Sequence, residues 1–104
     1  MNKHRSQEDI ISDILAIVLK EPKKTHIMYG ANLSYSLLCK YLDMLLDSKL
    51  ISYREDERKY QLTNSGKNYL ALYVEYKHVE CVISSKEIQF NEKKAALLNM
   101  LKYQ

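Results

Sequence analysis

The stretch from Leu33 to Asp47, LSYSLLCKYLDMLLD, has the residue spacing of an amphipathic helix, and the rest of the chain is interpreted around it. Ser34 is suited to cap its N-terminus, because a serine hydroxyl accepts a hydrogen bond from a free amide of the first turn. One side of the predicted helix carries leucines at positions 37, 38, 42, 45 and 46. The other side is small and polar, with Tyr35, Ser36, Lys40, Asp43 and Asp47. Such a helix packs on a core and leaves one face able to contact a partner.

Length and composition fit a single, mostly helical domain. The chain has 104 residues, of which 46% are hydrophobic and 28% charged. Two glycines and one proline are too few for the many turns of a sandwich or barrel. The net charge of +3 permits nucleic-acid binding without requiring it. No apolar run reaches the roughly 18 residues of a membrane span, and the first ten residues lack a signal peptide's apolar core. We therefore expect a cytoplasmic protein with no membrane partner.

A helix and a short helix precede this stretch. Ser6 followed by acidic residues predicts an N-terminus, and an apolar stripe runs to about Leu19 before Pro22 prevents continuation. Residues 23–32 predict a short helix capped by Thr25. Gly30 and Asn32 stand where the chain bends before Ser34, and both tolerate left-handed backbone angles. Two helices joined by a tight turn form a helix-turn-helix, whose second helix enters the major groove of DNA.

A β-hairpin is predicted directly after the helix-turn-helix. Residues 50–54 and 59–62 alternate with the period of strands, and the polar residues 55–58 join them. The order of three helices followed by a hairpin is that of a winged helix.

The last region, from Lys67 to Gln104, contains neither glycine nor proline and predicts a long helix of roughly 55–60 Å. Eight of ten positions of a heptad pattern are apolar, while Lys86 and Lys93 occupy the other two. A single helix is the favoured interpretation. A helical hairpin stays open, because Ser84 and Glu87 have the spacing of a capping box. The apolar seam predicts a partner chain through these residues: Tyr69, Leu72, Tyr76, Val79, Ile83, Phe90, Leu97 and Met100.

Three runs closely resemble archaeal winged-helix regulators: KTHIMYGANLSYSLL at residues 24–38, YLDMLL at 41–46 and the pair Leu50-Ile51. In those proteins K-T-x-I-M-Y-x-A-N-L-S-Y precedes the recognition helix. YQLTNSGK at residues 60–67 resembles their Y-x-L-T-x-x-G-K/R segment. The combination of one winged domain with a long last helix is similar to the ten-kilodalton chromatin proteins of Sulfolobus. That resemblance implies a homodimer, joined by an antiparallel coiled coil, that binds double-stranded DNA. This chain departs from it in its single recognition-helix cation, its acidic wing tip and its two seam lysines.

The candidate DNA contacts fall into three groups: Ser34, Tyr35, Ser36 and Lys40 on the recognition helix, Lys23, Lys24 and Thr25 before it, and Arg54, Arg58 and Lys59 on the wing. Hydroxyls and lysines contact base edges and phosphates. The alternative for each group is an ordinary solvated surface. Glu55, Asp56 and Glu57 at the wing tip repel DNA and pair with the neighbouring arginines.

No set of residues predicts catalysis, a cofactor or a metal site. The chain has no glycine-rich phosphate loop, and its three histidines are scattered. Cys39 and Cys81 fit no metal-binding spacing, so two reduced thiols are expected rather than a disulfide.

The sequence thus predicts a mainly α protein with a small β-hairpin: a winged helix-turn-helix over residues 1–66 and a dimerisation helix over 67–104. The expected function is double-stranded DNA binding by a homodimer, as a cytoplasmic, nucleoid-associated protein or transcriptional regulator. The alternative is a winged-helix module that contacts another protein and not DNA.

Overall fold

The elements of the protein follow the predicted order. The structure, a computed structural model, describes residues 5–20 and 22–102. Along these residues the elements are α1 (Gln7–Val18), α2 (Lys24–Gly30), α3 (Tyr35–Asp47), β1 (Ile51–Arg54), β2 (Lys59–Leu62) and α4 (Asn64–Lys102). The prediction of a mainly helical winged fold with a long last helix is confirmed.

Helix α1 begins at a capping box. The Ser6 hydroxyl accepts a hydrogen bond from the Asp9 amide at 3.1 Å, and the Asp9 carboxylate accepts one from the Ser6 amide at 3.4 Å. The helix buries Ile11, Ile14 and its neighbours against the core. This reciprocal arrangement fixes where the first helix starts.

The turn between α2 and α3 is a Schellman motif. Asn32 adopts a left-handed φ of 54°, and its amide and that of Leu33 donate to the carbonyls of Tyr29 and Met28. The expected left-handed role of Asn32 is therefore confirmed, whereas Gly30 is the last residue of α2 and has no positive φ. A Cβ at Gly30 would lie 2.8 Å from Ile17 Cδ1, so the glycine allows α1 and α2 to approach closely.

The predicted cap of α2 is wrong. Thr25 lies inside the helix, and Lys23 is the N-cap residue, without a capping hydrogen bond from its side chain. Lys23 has extended backbone angles, with φ −81° and ψ 164°, and helix α2 begins after it without a hydroxyl cap.

The wing is an antiparallel hairpin in which Tyr53 pairs with Tyr60 and Arg54 with Lys59. Arg58 has a φ of 53°, which brings the four-residue tip back into the second strand without a glycine. Ile51 and Tyr60 face the core, while the rest of β1 is exposed.

One apolar cluster unites the winged region. Its fully buried members come from α1, α2, α3 and β1: Ile14, Leu15, Val18, Ile27, Leu38, Leu45 and Ile51. Tyr41 and Tyr60 are also buried, and Tyr69 packs against the cluster from α4.

Helix α4 begins after Thr63, whose side chain contacts the segment between α3 and β1. The Thr63 hydroxyl accepts a hydrogen bond from the Gly66 amide at 3.1 Å and contacts the Leu50 carbonyl at 2.9 Å. A Cβ at Gly66 would lie 2.2 Å from that carbonyl oxygen, so only glycine fits. The helix is continuous for 39 residues, and no break occurs at Ser84–Glu87.

The chain divides into two units, Met1–Tyr73 and Val74–Gln104, and the division lies inside α4. In the described part of the second unit every residue except Lys77 is exposed. This segment buries none of its apolar side chains within the chain itself.

Candidate nucleic-acid interface

The polar face of α3 starts at a capped N-terminus. The Ser34 hydroxyl accepts a hydrogen bond from the Leu37 amide at 3.2 Å, and Leu38, Leu42 and Leu45 point into the core. Tyr35, Ser36 and Lys40 consequently lie on the exposed face. Because its hydroxyl oxygen already caps the helix, Ser34 acts first as a structural residue.

Lys24 and Tyr35 connect the start of α2 with the start of α3. The Lys24 ammonium donates a hydrogen bond to the Tyr35 hydroxyl at 3.3 Å and lies 4.8 Å from the centre of its ring. The hydrogen bond that Lys24 donates to Tyr35 raises the pKa of Lys24 above its ordinary value, against a smaller opposing effect of burial. The lysine is therefore charged throughout the neutral range. Its charge lies directly beside the N-terminal half of the predicted recognition helix.

The wing is bonded to the segment that precedes α2. The Tyr60 amide of β2 donates a hydrogen bond to the Pro22 carbonyl at 3.0 Å. Between these elements lies an open concavity of about 500 Å³, whose lining residues are Lys23, Lys24, Thr25, Tyr53, Arg58 and Tyr60. Four of these six residues were predicted as DNA contacts from the sequence.

Two tyrosines form the aromatic part of this concavity. The Tyr53 and Tyr60 rings are cross-strand neighbours with centroids 4.8 Å apart and planes inclined by 51°. Burial raises the pKa of the Tyr60 phenol, so it is neutral at physiological pH. Sequence reasoning missed Tyr53; its position opposite Tyr60 in the hairpin register is the signal that identifies it.

The wing tip neutralises part of its own charge. Arg54 forms ion pairs of 3.4 Å with both Asp56 and Glu57. Arg58 and Lys59 have no ion pair within the described residues. Of the three wing cations, these two are available to an anionic partner.

Seven of the ten predicted residues therefore occupy two places. Lys23, Lys24, Thr25 and Arg58 line one concavity, and Tyr35 joins them through Lys24. Ser36 and Lys40 lie on the exposed face of α3, outside the residues that line this concavity.

A second surface of interest is the apolar face of α4. Of sixteen exposed large apolar residues in the described part of the chain, twelve lie on this helix. Seven of the eight predicted seam residues are among them: Leu72, Tyr76, Val79, Ile83, Phe90, Leu97 and Met100. The eighth, Tyr69, is half-buried and packs on the core of its own chain.

Residues 5–20 and 22–102 contain neither a candidate metal site nor a candidate membrane span. No group of three or more histidine, cysteine, aspartate or glutamate side chains there is placed to bind a metal ion. Cys39 and Cys81 are both free thiols. Among the helices of the described segments, none is both long enough and apolar enough to span a bilayer.

The fold and this surface define a class. The family model for winged helix-turn-helix proteins matches residues 4–81, and the chain belongs to that family. Over 71 residues it is 41% identical to the uncharacterized protein MJ0287 of Methanocaldococcus jannaschii. The aligned segment covers 66% of this chain and 71% of that protein. It also resembles the crystal structure of Sso10a-2, described as a DNA-binding protein from Sulfolobus solfataricus. That likeness has a TM-score of 0.76 and 24% identity, covers 85% of this chain and 95% of the other, and shows the fold.

Proposed function

We propose that this protein binds double-stranded DNA as a homodimer and acts as a transcriptional regulator or a nucleoid-associated protein. The observation that carries the proposal is the Lys24–Tyr35 pair, which puts a permanent positive charge at the exposed start of α3. The DNA-binding description of Sso10a-2, which shares the fold, supports the same conclusion.

In the proposed complex, the N-terminal half of α3 enters the major groove. Tyr35, Ser36 and Lys40 are the exposed side chains that face base edges there. Lys23, Lys24 and Thr25 lie beside this helix and contact backbone phosphates, which position the domain without reading sequence. Lys40 supplies the one cation of the exposed α3 face, so base recognition depends on few contacts.

The wing contributes through its basic end and not its tip. Arg58 lines the concavity that contains Lys23 and Lys24, Lys59 lines a second one that contains Lys23, and neither forms an ion pair with a described residue. Arg54 is bound by Asp56 and Glu57, whose carboxylates repel phosphate. We therefore expect moderate affinity with a clear dependence on salt, because only a few lysines and arginines displace counterions.

Dimerisation through α4 supplies a second winged region with its own α3 helix. A helix of 39 residues is about 58 Å long at 1.5 Å per residue, and its exposed apolar residues recur at heptad spacing. Exposed contiguous apolar surface of this kind marks an interaction site. A dimer presents two α3 helices, so its binding site is expected to contain two half-sites.

Binding of a fluorescently labelled duplex across a salt series tests the proposal. We expect saturable binding at low salt that weakens as salt rises, and Lys40→Ala or Tyr35→Ala should weaken it while the thermal melt stays unchanged. Absence of binding by the full chain even at low salt would refute DNA binding. Genome-wide occupancy then separates the two roles, since discrete peaks indicate a regulator and uniform coverage a chromatin protein.

A protein-binding role is the second candidate. The acidic wing tip and the neutralised Arg54 favour it, as does the modest net charge of +3. Under this alternative, Lys40→Ala has no effect on association with nucleic acid because the wild-type chain shows none.

A further inference from the structure

A second basic cluster lies next to the proposed interface. Four side chains from separate segments line an open concavity of about 310 Å³: Lys20 after α1, Lys23 before α2, His26 within α2 and Lys59 at the start of β2. Ile17 and the buried Pro22 complete the lining. Lys20 and His26 were not among the residues predicted to contact DNA.

The charges of this cluster are not neutralised by the described part of the chain. Within residues 5–20 and 22–102, none of the four basic side chains forms an ion pair, and the concavity has no acidic lining residue. Glu21 lies outside those residues. Three other cations of the described residues do form ion pairs: Arg5 with Asp13, Arg54 with Asp56 and Lys77 with Glu80.

Three lysines that converge with no counterion among residues 5–20 and 22–102 repel one another, and a bound anion removes that repulsion. The apolar lining strengthens the effect, because charges interact more strongly beside a low-dielectric wall than in bulk water. The His26 imidazole is able to donate a hydrogen bond to an anionic oxygen.

Lys23 connects this cluster to the proposed interface, since it lines both concavities. The Lys24 side chain lies beside the start of α3, and Lys23 precedes it in the chain. A phosphate backbone that contacts Lys24 can therefore continue over Lys23 to the second concavity. We infer that Lys20, Lys23, His26 and Lys59 form a second phosphate-contact surface, which follows the backbone of the bound nucleic acid beyond the α3 groove. This inference rests on the proposed function and extends its footprint.

The test measures the salt dependence of duplex binding for the full chain and two charge-matched variants. Lys20→Gln with Lys59→Gln removes two cations from the cluster. Lys67→Gln with Lys102→Gln removes two exposed cations from α4, so both variants have a net charge of +3 − 2 = +1. Thermal melts establish that all three proteins are folded.

For the cluster variant we expect the slope of log K against log salt to fall by about 1.8, which corresponds to two phosphate contacts. Its affinity at about 0.1 M salt should fall by roughly tenfold or more, while the control stays within about twofold of wild type. Equal slopes for the two variants would overturn the inference and the proposed contact of Lys59, while duplex binding by the wild-type chain would leave DNA binding itself intact. Failure of the wild-type chain to bind duplex at low salt would refute both.

Discussion

The backbone amide of Tyr60 donates a hydrogen bond to the carbonyl of Pro22. This single bond connects the second strand of the wing to the residue that precedes Lys23 and Lys24. The start of α2 and the wing therefore have a fixed mutual position. Their cations form one surface although they are distant in sequence.

The Lys24–Tyr35 pair is tested by two substitutions at Tyr35. Tyr35→Phe retains the ring beneath the ammonium and loses the hydroxyl, whereas Tyr35→Ala loses both. We expect duplex affinity to fall less for phenylalanine than for alanine, for which an exposed cation–π contact predicts about two- to fivefold. Equal affinities of both variants and wild type in a fluorescence titration would exclude a role for this pair.

Ser34 and Ser36 are matched serines with different predicted effects. Ser34→Ala removes the helix cap and should lower the free energy of unfolding by about 1 kcal/mol, or several degrees in Tm. Ser36→Ala changes an exposed residue in the first turn and should leave the melting temperature unchanged. Thermal denaturation by circular dichroism measures both, and equal melting temperatures would contradict the capping role of Ser34.

Substitution by alanine should affect stability strongly at one glycine and little at the other. Gly66→Ala directs a methyl group to 2.2 Å from the Leu50 carbonyl oxygen, a backbone atom with little freedom to move. We therefore expect the free energy of unfolding to fall by about 1–3 kcal/mol or more. Gly30→Ala meets only the flexible end of Ile17, and the gain in helix propensity of about 1 kcal/mol offsets that contact. Chemical denaturation should show a large loss for the first and a small change for the second. A loss for Gly30→Ala as large as that for Gly66→Ala would contradict this account.

Dimerisation through α4 is tested by adding one charge on or beside the apolar seam. Phe90→Glu introduces a carboxylate at a seam position, and Asn91→Glu introduces the same group at the next residue. Sedimentation velocity should find a monomer for Phe90→Glu and a dimer for Asn91→Glu and wild type. A monomeric wild-type chain, or a Phe90→Glu protein that stays dimeric, would argue against this seam.

Removing acidic charge from the wing tip should strengthen DNA binding. Asp56→Asn with Glu57→Gln releases Arg54 from its ion pairs and eliminates two repulsive carboxylates. We expect severalfold higher affinity and a steeper salt dependence than for Glu75→Gln with Glu92→Gln, which makes the same charge change on α4. If the two double variants bind equally, the tip does not face DNA.

The parts of the fold that depend on local chemistry were predictable. The Ser6 and Ser34 caps, the apolar stripes of α1 and α3 and the two strands all have signals within a few residues. The role of Gly30 was not predictable, because its reason is the approach of Ile17 from another helix. Threonine is a common N-cap residue, but the N-cap of α2 is Lys23, two residues before Thr25.

The candidate site was predicted as a set of residues and not as an arrangement. Lys23, Lys24 and Arg58 were identified singly, by their types and by the resemblance to winged-helix proteins. Their common concavity depends on the bond between Pro22 and Tyr60, which pairs residues far apart in the chain and leaves no local pattern. The basic cluster around Lys20 was missed for the same reason.

The charge of the wing tip is independent of the packing of the core. Glu55, Asp56 and Glu57 are exposed, and among the described residues the carboxylates of Asp56 and Glu57 form ion pairs only with Arg54. Substitution at these positions alters the charge presented to a partner at little cost to the core. Single substitutions at the tip are therefore expected to raise or lower the affinity for a polyanion without destabilising the fold.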